Sequence, residues 1–168
     1  KKVGVDGIKT GYLAVEKYSL ASTLLKDTRR LISVASGFQT KNARASGSLK
    51  LLNWGFRNTE TYEISKKNET VFEMKSWLGK SNLIKTVTKE NVYVTIKKKD
   101  RRNFKVEMVY NGPIVAPVSK NQEVGFLKVY SNNETIKTVP LYTLEKNEKV
   151  NFIKSLFTSL NYLIWGDV

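Results

Sequence analysis

The sequence predicts an α+β chain in three parts: strands with one helix over residues 1 to 57, a small all-β sandwich or barrel over 58 to 148, and an amphipathic helix over 149 to 168. Three observations predict it. The spacing of apolar residues changes to a period of two near Arg57-Asn58-Thr59, and returns to a helical period after Lys149. Hydrophobic residues make up 40% and charged residues 26%, with ten glycines and three prolines, a composition that supports packed structure throughout. No internal repeat or low-complexity tract interrupts it.

In the first part, the apolar-rich runs Tyr18 to Leu25 and Arg30 to Ser36 flank the polar Lys26-Asp27-Thr28-Arg29, the pattern of a hairpin in a largely buried sheet. A helix follows from Asn42 to Trp54, because Ala45, Leu49, Leu52 and Phe56 recur at helical spacing. Thr40 is its expected N-cap, and Gly55 is placed to end it.

The middle part alternates, as in Val92-Tyr-Val-Thr-Ile96 and Phe104-Lys-Val-Glu-Met108, with turn residues Asn111-Gly112-Pro113 and Asn132-Asn133 between runs. Short strands at this spacing read as a sandwich or barrel. The basic run Lys97-Lys98-Lys99-Asp100-Arg101-Arg102 is expected at a solvated hairpin tip.

In the last part, Ile153, Leu156, Phe157, Leu160, Leu163 and Ile164 share one helical face, while Lys154, Ser155, Thr158, Ser159 and Asn161 occupy the other. A membrane span needs about 20 mostly apolar residues. This segment is shorter and carries a polar stripe, so it is expected to lie on a bilayer surface, with Tyr162 and Trp165 at the interface. Periodicity alone leaves equally open a helix docked on its own β-domain.

Chemistry is bounded by what is missing. The chain has no cysteine and no histidine, which removes thiol nucleophiles, thiolate ligands, the commonest general base and the commonest metal ligand. No metal and no cofactor is expected, and acid-base work falls to Lys, Tyr or carboxylates. The formal charge of +14 favours anionic partners such as a membrane surface or a wall polymer. No aromatic-basic signature of RNA recognition or zinc spacing accompanies it, so nucleic acid is not an expected partner.

The most informative segment is Val5-Asp6-Gly7-Ile8-Lys9-Thr10-Gly11-Tyr12, followed by two strands, Arg44, and Lys50-Leu-Leu-Asn-Trp-Gly-Phe56-Arg57. Together with Val92 to Ile96, Ala116-Pro-Val-Ser-Lys-Asn-Gln-Glu-Val-Gly125 and the amphipathic tail, it resembles the D-alanyl-D-alanine carboxypeptidases among the low-molecular-mass penicillin-binding proteins. The resemblance covers essentially the whole chain.

The resemblance implies that residues 1 to 57 are the C-terminal strands and helix of a transpeptidase/β-lactamase-like α/β domain. It implies an all-β second domain, and a final helix, with Ile153, Leu156, Phe157, Leu160, Leu163, Ile164 and Trp165 toward lipid, on the periplasmic face of the bacterial cytoplasmic membrane. The implied partners are a peptidoglycan stem peptide ending in D-Ala-D-Ala, and β-lactams.

Within that frame Lys9 supplies a cation for a developing oxyanion or a proton relay, and Thr10 a hydroxyl for a substrate carboxylate. Gly11 allows close backbone approach, and the Tyr12 N–H can complete an oxyanion hole. An extended peptide can then add as a strand along Lys9 to Tyr12. Arg44 matches the family's arginine for the substrate's terminal carboxylate. Leu13 stands where many members have Thr, and Glu16-Lys17 where Ala-Gly is common.

Family chemistry also needs Ser-x-x-Lys, and Ser-x-Asn ahead of Lys-Thr-Gly. No lysine here has a serine three residues before it, and Ser131-Asn132-Asn133 and Ser159-Leu160-Asn161 follow the Lys-Thr-Gly. Thr23-x-x-Lys26 and Thr95-x-x-Lys98 lie in strands, away from any helix N-terminus that would present a hydroxyl. The expectation is a fragment of a carboxypeptidase, inactive alone, whose N-terminal half with the nucleophile lies upstream. The alternative is a non-catalytic, membrane-associated wall-binding module.

Overall fold

A computed structural model describes residues 5 to 166, the side chains of Lys154 and Thr158 excepted. The expected strand start at Lys1 to Gly4, and the Lys154 and Thr158 positions on the polar face of the last helix, therefore lie outside the described residues. The structure is mostly β-sheet with few helices, and it divides into two compact units. Unit one runs through Thr61 and includes Thr95–Lys99; unit two comprises the rest.

Unit one is an antiparallel meander of β1 (Val5–Leu13), β2 (Lys17–Lys26) and β3 (Arg29–Phe38), followed by α1 (Lys41–Asn58). The β2–β3 connection is two residues, Asp27 and Thr28, with Asp27 at φ 55°; aspartate tolerates this left-handed conformation, which suits a tight hairpin. α1 packs on β2 and β3. Leu24 and Leu52 are buried in this unit, as is the Ser22–Ser33 hydroxyl pair at 2.9 Å.

Thr40 caps α1 as expected, its Oγ1 accepting from the Ala43 N–H at 3.0 Å. Gly55 does not end the helix. A Cβ there would lie 2.7 Å from Leu31 Cδ1, which marks a close approach of helix to sheet at this point, and α1 continues to Asn58. Its end is fixed by Arg29, which donates to the Thr59 carbonyl at 2.7 Å and to Thr59 Oγ1 at 2.5 Å.

β4 (Thr59–Ser65) pairs with β7 (Val92–Lys97) as a two-stranded sheet, and the division between the units falls inside both strands. β7 buries Val92, Val94 and Ile96 on alternate positions, the period its sequence announces. The remaining strands are β5 (Thr70–Trp77), β6 (Leu83–Val87), β8 (Phe104–Val109), β9 (Ile114–Val115), β10 (Glu123–Ser131) and β11 (Glu134–Thr143). They form a six-stranded sheet ordered β8-β10-β11-β6-β5-β9, antiparallel except for the β5–β9 pair.

Met74, Leu127 and Leu141 centre the core of unit two, with Val106, Met108 and Ile114 packed around them. Asn147 ties loops to this body. Its side chain donates to Ser76 Oγ and the Ser81 carbonyl at 2.9 and 2.8 Å, and accepts from the Ser81 N–H. Such full satisfaction is what allows an amide to be buried.

The basic run is not a hairpin tip. Lys98–Asn103 form a 3-10 helix joining β7 to β8, strands that belong to different sheets. The chain ends in α2 (Phe152–Trp165).

Candidate functional site

β1 is an edge strand, so one side of Lys9 to Tyr12 has no strand partner among the described residues. Its other side pairs Lys9 with Ala21, Thr10 with Leu20, Gly11 with Ser19 and Tyr12 with Tyr18, after a bulge between Gly7 and Lys9. Ala21 in turn pairs with Val34 of β3. Lys9, Ala21 and Val34 therefore form one row across the sheet. Strand alternation puts this row on the opposite face from Tyr12 and Tyr18.

The Lys9 face is bare: Val34 is 76% and Ile32 64% exposed. A shallow cleft of about 400 Å³ lies along it, lined by Lys9, Thr10, Gly11, Ser19, Val34 and Ser36 among others. The Lys9 ammonium and the Thr10 hydroxyl make no hydrogen bond or ion pair among the described residues. Both are thus open to an incoming ligand.

Gly11 has a neighbour that the sequence does not reveal. A Cβ at this position would displace the Ser19 hydroxyl across the ladder. The only signal in the chain is indirect, since Ser19 becomes its neighbour once the hairpin register is set.

Arg44 stands in the first turn of α1 with its guanidinium over the Tyr18 ring, 5.7 Å from the centroid. The Tyr18 and Tyr12 rings are 4.8 Å apart. The structure therefore links Arg44 to the active-strand candidate through two aromatic rings rather than by direct contact with Lys9. Arg44 Nε is buried with no hydrogen-bond partner among the described residues.

α2 is the second candidate element. Its Tyr162 ring meets Trp77 of β5 edge-on at 5.0 Å, so Tyr162 faces the β-domain. Phe152, Ile153, Leu156, Phe157, Leu160, Leu163, Ile164 and Trp165 are all exposed, Leu163 at 84%. Among the described residues no helix is long and apolar enough to cross a membrane.

The model of the penicillin-binding protein 5 C-terminal domain family matches residues 60–149, more than half of the chain. The chain belongs to this penicillin-binding protein 5 family. Among curated relatives, it is 34% identical over 154 residues to D-alanyl-D-alanine carboxypeptidase DacF of Bacillus subtilis, covering 91% of this chain and 40% of the relative. It is 34% identical over 151 residues to D-alanyl-D-alanine carboxypeptidase DacA of Escherichia coli K12, covering 89% and 38%.

Among solved structures, penicillin-binding protein 5 from Haemophilus influenzae superposes with a TM-score of 0.76 at 28% identity, covering 88% of this chain and 43% of that one. The carboxypeptidase DacD from Francisella tularensis gives a TM-score of 0.67 at 26% identity, covering 89% and 38%. The chain thus spans about 40% of the length of the curated relatives it matches. The penicillin-binding protein 5 family model begins at residue 60, whereas the likeness to the relatives, over 154 and 151 residues, extends upstream of it.

Proposed function

We propose that this chain supplies the substrate-positioning part of a serine-type D-alanyl-D-alanine carboxypeptidase, which removes the terminal D-Ala of peptidoglycan pentapeptides and reacts with β-lactams when complete. Residues 1 to 57 are read as the end of a transpeptidase-like domain, 58 to 148 as the all-β domain and 149 to 168 as the membrane-surface helix. The observation that carries the reading is the Lys9–Ala21–Val34 row. It sets an unpaired cation beside an open strand edge on an uncovered, partly apolar face.

Each residue then has a role. The substrate peptide adds along Lys9 to Tyr12, with Gly11 in the strand and the Tyr12 N–H directed at the scissile carbonyl's oxygen. Thr10 and Arg44 receive the terminal carboxylate. Lys9 stabilises the developing negative charge. The attacking hydroxyl comes from a helix covering the Val34 face, because no Ser-x-x-Lys exists in this chain and apolar faces of this kind are normally covered.

Incubation with a fluorescent penicillin and denaturing electrophoresis tests this. The chain alone is expected to give no covalent adduct, and a labelled band would show that a nucleophile exists within it.

α2 is read as a peripheral anchor on the periplasmic face of the cytoplasmic membrane. The exposed apolar row supports that, as does the +14 charge, which attracts an anionic surface. Flotation with anionic vesicles should carry the full chain upward and leave behind a version lacking residues 149 to 168. Unchanged flotation of the shortened chain would end the anchoring claim.

A further inference from the structure

Unit two carries a cleft of about 660 Å³ that the Lys9 site does not involve. Its volume lies in the range of small-ligand sites. Its floor follows from the register of two strands. Tyr130 of β10 stands opposite Lys105 of β8, and Lys128 opposite Glu107. The intervening Val106, Met108, Leu127 and Val129 pack inward, so alternation turns Lys105, Glu107 and Tyr130 outward together.

Two turns build the rim. Asn132 and Asn133 form the two-residue β10–β11 connection, at φ 52° and 66°, the conformation of a type I′ hairpin that asparagine tolerates. Opposite, the 3-10 helix ends at Arg102 and Asn103. Asn103 Nδ2 donates to Asn132 Oδ1 at 2.8 Å, and the Asn132 N–H donates to the Asn103 carbonyl at 3.2 Å. The two rims are therefore fastened to each other.

The polar groups left over are informative. Lys105 and Glu107 form an ion pair. The Arg102 guanidinium, the Tyr130 hydroxyl and the Asn133 carboxamide have no hydrogen-bond or ion-pair partner among the described residues. A flat aromatic ring suits the C–H face of a sugar, since it combines apolar area with a polar tip. The free Asn133 amide matches hydroxyl and acetamido groups, which both donate and accept. A free guanidinium at the rim matches a carboxylate. With Lys105 paired to Glu107, the guanidinium of Arg102 is the one cation left unpaired in the lining among the described residues, which matches a single carboxylate rather than a run of phosphates.

We infer that this cleft binds an acidic, N-acetylated oligosaccharide, with its sugar ring on Tyr130, its acetamido and hydroxyl groups on the asparagine rim, and its carboxylate at Arg102. The proposal is independent of the Lys9 site, and its test reads different residues.

The test is an NMR titration of the isotope-labelled full chain. One probe is the N-acetylglucosamine–N-acetylmuramic acid disaccharide, which carries a carboxylate, and the other is neutral N,N′-diacetylchitobiose. Saturating shifts are expected at Asn103, Lys105, Tyr130 and Asn133, with the acidic sugar binding about tenfold more tightly, the worth of one charge-assisted contact. Tyr130→Ala should weaken both sugars about tenfold or more, while Arg102→Ala should remove only the preference for the acidic one.

Unchanged amide shifts at Met74, Leu127 and Leu141 establish that each variant is folded. Three results would each overturn the proposal: no shift at these residues with either sugar at tens of millimolar, shifts that survive Tyr130→Ala unchanged, or stronger shifts of the same residues by an oligothymidylate.

Discussion

The Arg44 guanidinium lies 5.7 Å from the centre of the Tyr18 ring, and Tyr18 stands opposite Tyr12 in the β1–β2 ladder. A cation over an aromatic face at this separation contributes about 0.5–1 kcal/mol at a partly exposed position. In a double-mutant cycle with Arg44→Ala and Tyr18→Leu, a coupling energy of that size is expected by urea denaturation. Strict additivity of the two changes would mean that the contact carries nothing, and that Arg44 is not held toward the Tyr12 end of the strand.

Gly125 of β10 lies against β8, where a Cβ would stand 2.7 Å from the Val109 carbonyl oxygen and 2.8 Å from Tyr110 Cβ. A backbone oxygen cannot swing aside as a side-chain terminus can. Gly125→Ala should cost about 1–3 kcal/mol, the usual consequence of overpacking. At Gly7 a Cβ meets nothing within 4 Å and φ is not positive, so Gly7→Ala should be neutral, or stabilising by about 0.4–1 kcal/mol through the unfolded chain. Chemical denaturation of the two variants side by side checks the contrast.

Glu148 accepts from Lys146 at 2.8 Å and from Lys80 at 2.5 Å. Hydrogen bonding to Lys146, then to Lys80, lowers its carboxyl from an ordinary value of 4.5 to about 2. A carboxylate with a depressed folded-state pKa adds stability that is fully present above the unfolded value and lost as pH falls through the folded one. Glu148→Gln should therefore lower the Tm at neutral pH. The difference should shrink between about pH 4.5 and pH 2. Because the pair is exposed, the effect should also be small and weaken with salt.

Much of this architecture was legible because it is local. Thr40 caps α1 through a contact three residues away, and the alternation of Val92, Val94 and Ile96 is visible as a pattern in the chain. What was not legible depends on partners remote in sequence. Gly55 reads as a helix terminator until Leu31 packs against it. Lys98–Asn103 reads as a hairpin tip until β7 and β8 are seen to pair with different strands.

The candidate sites divide in the same way. Lys9 to Tyr12 and Arg44 announced themselves by motif, whereas Ser19 enters only through the register with Gly11. The Lys105–Tyr130 cleft has no motif, because its residues meet only when β8 and β10 pair. Tyr162, expected at a membrane interface, also meets Trp77 edge-on; a periodicity argument places a residue on a helix face without saying which neighbour that face meets.

The claim on which the functional reading rests is that the open edge from Lys9 to Tyr12, together with Arg44, receives a peptide ending in D-Ala-D-Ala. Its most direct test is an NMR titration of the labelled chain with such a peptide and with the same peptide ending in L-Ala-L-Ala. The account predicts shifts concentrated at the Lys9 to Tyr12 amides and the Arg44 side chain, saturating for the D-Ala-D-Ala peptide and much smaller for its L-counterpart. Shifts located elsewhere, or equal responses to the two peptides, would contradict it.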